Sequence, residues 1–133
     1  MLPPLRKARF ALAALFIGAG IAHFLRPAPY AGIIPDWIPA HAFMVGLSGI
    51  AEIAGGIGVL FRRTQRVAGI GLILLLIAVF PANIQMLFNG IHDAKPAWYQ
   101  VALWLRLPLQ PLLGWWVLRV TQPRPAARPP MAD

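Results

Sequence analysis

Four long apolar runs, separated by charged or proline-rich stretches, divide the chain into about residues 10–25, 40–61, 67–88 and 97–118. A helix needs about 20 mostly apolar residues to cross a hydrocarbon core of about 30 Å. The pattern therefore predicts an all-α protein, a polytopic membrane four-helix bundle. Between the first two runs, Pro27, Pro29, Pro35 and Pro39 stand among Tyr30, Ile33, Ile34 and Trp37. That composition predicts an irregular apolar segment from Arg26 to His41, roofing one end of the bundle. Residues 1–121 read as one domain, and 122–133, rich in Pro, Ala and Arg, as a disordered cytoplasmic tail.

Charge gives the bundle a direction. Nine basic residues would share one side: Arg6, Lys7, Arg9, Arg62, Arg63, Arg66, Arg119, Arg124 and Arg128. Only Arg26 and Lys95 fall on the other, beside Asp36 and Asp93. Short basic loops stay in the cytoplasm, so both termini are expected there. A basic start before an apolar run also fits a signal peptide, but no small-residue cleavage site follows His23-Phe24-Leu25-Arg26. Trp98 and Tyr99 at one end of the last run and Trp115 and Trp116 at the other are about 27 Å apart along a helix, near a hydrocarbon thickness.

Composition narrows the function classes. With 59% hydrophobic and 12% charged residues, the chain cannot furnish a water-soluble surface. The net charge of +8 thus reads as contact with membrane lipid and not with nucleic acid. The absence of cysteine removes disulfides, thiol relays and thiolate metal sites. Two close-packing stripes are expected, Ala14, Gly18 and Ala22 on the first helix, and Ala51 and Gly55 on the second.

Candidate chemistry lies in polar residues inside apolar runs: His23, Ser48, Glu52, Asn83, Gln85, Arg106 and Gln110. Glu52 would sit roughly 15 to 18 Å below one surface and Arg106 about 13 Å below it. A lone ion in hydrocarbon costs about 2.5 to 3.5 kcal/mol on insertion scales, so these two are expected to form a buried ion pair. Asn83, His23 and Gln110 would complete the network. Pro81, Pro108 and Pro111 free the carbonyls of Ile77, Trp104 and Leu107 at the same depth.

Two roles for this cluster stay open. One is a ligand pocket formed by His23, Glu52, Asn83, Arg106 and Gln110, admitting a quinone headgroup, a lipid or a small solute. The other is a register device in a structural or assembly protein. A small proton-coupled transporter is a third reading, with less machinery behind it. No metal site, catalytic residue or nucleotide motif is assigned, and an autonomous enzyme is not expected.

Five segments, His23-Phe24-Leu25-Arg26-Pro27, Ile34-Pro35-Asp36-Trp37-Ile38-Pro39, Ser48-Gly49-Ile50-Ala51-Glu52, Phe80-Pro81-Ala82-Asn83-Ile84 and Arg106-Leu107-Pro108-Leu109-Gln110, resemble the DoxX-like family of small four-helix bacterial membrane proteins. The resemblance implies a bacterial inner-membrane location. It also implies an accessory or binding subunit, with a redox partner protein or a second copy of the chain as partner. Named members are similar to the membrane subunit of thiosulfate–quinone oxidoreductases. A thiol-based version of that chemistry does not carry over to a chain without cysteine.

Overall fold

The computed structural model describes residues 4–122, so 123–133 of the expected tail lie outside the described residues. The fold is all-helical: α1 Pro4–Leu25, α2 Pro27–Ala31, α3 His41–Gly58, α4 Gln65–His92 and α5 Ala97–Thr121. Four of these, all but α2, are long and apolar enough to cross a membrane. Pro81 stays inside α4, and Pro108 and Pro111 inside α5. α4 runs four residues beyond the expected 67–88 at its far end. It closes through Lys95 N–H to the Gly90 carbonyl and Ala94 N–H to Ile91, both at 3.1 Å. Ala94 takes the left-handed conformation at φ 49° to make this cap, a position glycine normally fills.

The stretch from Arg26 to His41, expected to be irregular throughout, is helical in part, as α2. Its prolines stand at the first and third positions, where a backbone N–H would have no intrahelical partner in any case. The remainder is irregular and enters α3 through Ala40, which is also left-handed, at φ 55°.

The long helices form a ring in which α1 packs on α3, α3 on α4 and α4 on α5, with a small contact between α5 and α1 closing it. The diagonal pairs, α1 with α4 and α3 with α5, keep their backbones apart. Backbone contact holds the first pair together. A Cβ on Gly20 would stand 2.6 Å from the Gly49 carbonyl oxygen, and one on Gly56 3.1 Å from that of Ala13. Gly55 instead makes room for the Leu72 side chain of α4.

The expected stripe of Ala14, Gly18 and Ala22 is not the packing face: Ala14 and Gly18 are exposed, and nothing lies within 4 Å of a Cβ on Gly18. At about 100° per residue, α1 turns Ala13, Phe16 and Gly20 inward instead, because only that face meets glycines on α3. Small size permits close approach, and the partner decides where it occurs.

The dry core lies toward the end that carries Arg62, Arg63 and Arg66. Leu12, Val59 and Val117 are wholly buried there, with Ala13, Phe16, Leu72 and Val120 around them. Polar side chains brace this end from outside: Arg9 Nη1 donates to Gln65 Oε1 at 2.5 Å, and Gln65 Nε2 to the Thr121 carbonyl at 3.4 Å.

Candidate functional site

Toward the opposite end the helices separate around a cavity of about 700 Å³. Its walls are mostly aliphatic, from Leu15 and Phe16 of α1, Val45 and Leu47 of α3, Leu74 and Val79 of α4, and Leu109 and Leu113 of α5. Ile33, Ile34, Pro35 and Ile38 of the segment before α3 cover it. That cover is tied down at two points. Asn89 Nδ2 donates to the Gly32 carbonyl at 3.4 Å, and His41 Nε2 lies 3.3 Å from the Pro35 carbonyl. Asn89 is held in turn by Gln85, whose amide donates to it at 2.9 Å.

His23, Glu52, Asn83, Arg106 and Gln110 all line this one cavity, with Ser48 a turn before Glu52. They fall into two groups on different helices. On α1 and α3, His23 Nδ1 lies 3.1 Å from Glu52 Oε2 and 2.8 Å from the Ala19 carbonyl. A single ring N–H cannot point at both oxygens. The carbonyl contact is the shorter and follows the helix, so the carboxylate contact is one of charge proximity. Accordingly Glu52 Oε2 and the Ser48 hydroxyl oxygen are buried without a hydrogen-bond partner among the described residues.

On α4 and α5 the polar groups form a relay. Arg106 Nε donates to Asn83 Oδ1 at 3.2 Å, the Asn83 amide donates to Gln110 Oε1, and Gln110 Nε2 donates to the Leu76 carbonyl at 2.5 Å. Leu76 is one residue before Ile77, the carbonyl that Pro81 leaves without a donor. The proline ring crowds this turn and opens it to a side-chain donor from α5. Gln110 is 8% exposed and completes both ends of its amide in this relay.

The expected buried ion pair of Glu52 with Arg106 is not formed. Among the described residues Glu52 is paired with His23, and Arg106 has no acidic partner. Their helices, α3 and α5, are diagonal in the ring, and the cavity lies between them. Equal depth brought the two ions to one level but not to one side. Arg106 is exposed, and its terminal guanidinium nitrogens have no partner among the described residues.

Asn89 was not singled out in the sequence, although it holds the cover. The available signal was its four-residue spacing from Gln85, which puts two amides on one helix face. A second, more apolar cavity of about 520 Å³ lies between α4 and α5, where Leu76 and Gln110 are shared with the first. The three histidines lie apart, His23 at Glu52, His41 at Pro35 and His92 3.4 Å from Asp93. No group of three or more His, Asp or Glu is close enough to hold a metal among the described residues.

No curated protein and no solved structure matches the chain. A family model, the domain of unknown function DUF8561, matches residues 12–121, which includes nearly all of the four long helices and every residue of the cavity named above. The chain belongs to the DUF8561 family.

Proposed function

We propose that this is a multi-pass protein of the bacterial inner membrane, with both termini in the cytoplasm, whose side cavity receives the polar head of an amphipathic molecule. The observation that carries the reading is the cavity itself. Its volume of about 700 Å³ falls in the range of small-molecule sites, and aliphatic walls surround a few convergent polar groups. A quinone or a lipid is the class of ligand that such a lining accepts. The protein would serve as an accessory or binding subunit for a redox partner, as the DoxX-like motifs suggest. The excess of basic residues at the Arg62–Arg66 end supports the orientation.

The test is direct. The protein purified in mild detergent should carry quinone or lipid recoverable by solvent extraction and mass spectrometry, and Glu52→Gln should reduce the amount recovered. Recovery of neither, or equal recovery from the variant, sinks the reading. Because the chain has no cysteine, single cysteines introduced at Arg63 and at Lys95 report orientation without background labelling. Labelling of the first from the periplasm would reverse the topology.

The relay from Arg106 to Leu76 favours a second reading, in which these side chains only staple α4 to α5. Replacing Asn83 and Gln110 together by leucine separates the two readings. Full ligand recovery from a folded double variant would leave the relay a purely structural role.

A further inference from the structure

The two polar groups of the cavity differ in what they lack, and the difference specifies a ligand. On the α3 wall, the Ser48 hydroxyl is buried with no hydrogen-bond partner among the described residues, and Glu52 Oε2, with His23 Nδ1 3.1 Å away as its charge partner, accepts no hydrogen bond. On the α5 wall, Arg106 spends Nε on Asn83 and keeps its terminal N–H groups for something else. The backbones that carry the two groups stand apart, and no ion pair joins Glu52 to Arg106.

A molecule that settles in this space must bring donors to one wall and acceptors to the other. A bare anion suits the guanidinium but is repelled by the carboxylate, and a bare cation meets the reverse. An uncharged carbonyl head offers Arg106 an acceptor but brings Glu52 no proton. A group that joins a primary ammonium to an acidic oxygen serves both, because charge-assisted hydrogen bonds form at each end.

We infer that the cavity selects a zwitterionic head with an N–H-bearing ammonium toward Glu52 and Ser48 and an anionic oxygen toward Arg106. Phosphoethanolamine is the simplest such group, either on a phospholipid or as a free solute. This inference rests on the cavity reading above and narrows it to one charge pattern.

The experiment titrates the full-length protein in detergent with short-chain phosphatidylethanolamine, phosphatidylcholine, phosphatidylglycerol and a short-chain quinone, following tryptophan fluorescence. Phosphatidylcholine keeps both charges but has no N–H, and phosphatidylglycerol lacks the cation. Phosphatidylethanolamine should bind about tenfold more tightly than either, the scale of one lost charged hydrogen bond. Glu52→Gln should remove that preference, Arg106→Gln should weaken all three phospholipids alike through their shared phosphate, and Ser48→Ala should reduce the preference if Glu52→Gln does not fold. Competition by soluble phosphoethanolamine identifies a free zwitterion as the source, and its absence identifies the lipid, and either supports the inference. Equal binding of the three phospholipids, a preference unchanged in Glu52→Gln or Ser48→Ala, or undiminished binding in Arg106→Gln overturns it while leaving an amphiphile site in place. Failure of all four amphiphiles to bind overturns the cavity reading as well.

Discussion

The two ends of the bundle are made from the same four helices and packed by different rules. At the arginine-rich end Leu12, Val59, Leu72 and Val117 fill the space between helices almost completely. At the other end the same helices hold a cavity, with leucines such as Leu74 and Leu109 more than half exposed on its walls. Among the described residues, both non-glycine positions with positive φ, Ala40 and Ala94, also lie at the cavity end. Strain of this kind persists only where surrounding structure fixes it, and it gathers at sites rather than cores. Close packing and open space are thus separated along the bundle axis.

Leu72→Ala should produce the largest divergence between the two ends. Emptying a filled site costs about 2 to 5 kcal/mol, whereas Leu74→Ala only enlarges an existing space and should cost less than about 1 kcal/mol. Reversible unfolding in mixed micelles measures both, and equal losses would erase the distinction. Next comes Gly20→Val, which drives a side chain into the Gly49 carbonyl and should cost about 1 to 3 kcal/mol, while Gly18→Val, in open space, should be neutral. A neutral Gly20→Val would place the contact between α1 and α3 elsewhere.

Gln110→Leu removes the amide that joins Asn83 to the Leu76 carbonyl. Hydrogen bonds between helices in membranes are worth about 0.6 kcal/mol on average and at most about 1.7, so the expected loss is in that range. A larger loss would make the relay part of the core. The smallest effect is expected at Ala94→Gly. Relief of left-handed strain, about 1 to 2 kcal/mol, is offset by glycine's entropy of about 0.5 to 1, for a net gain of about 0.5 kcal/mol. Loss of stability there would mean that the alanine methyl packs usefully in the loop.

The helices were legible because run length and apolar content are set by the medium, and α3, α4 and α5 begin within about two residues of the expected starts. Which helices face each other was not. Burial cost says that Glu52 needs a partner, and counting formal charges points to Arg106. It is the ring order of the helices that puts His23 beside Glu52 and leaves Arg106 across the cavity. The same limit applies to the alanine and glycine stripe on α1. Its spacing is right for close packing, but only the face opposite Gly49 and Gly56 is used. Local pattern reports what a side chain can do, and the neighbouring helix determines what it does.

The cover formed by Ile33, Ile34, Pro35 and Ile38 bears on which phase would supply the proposed ligand. Asn89 and His41 hold it over the end of the bundle, whereas Leu74 and Leu109, which line the cavity on the sides, are more than half exposed. With the bundle inserted as proposed, a solute arriving from water meets a fastened cap, and a molecule diffusing in the leaflet meets a doorway. Partition into the bilayer would then act as the first filter, and occupancy would follow the mole fraction of the ligand among lipids and not its aqueous concentration.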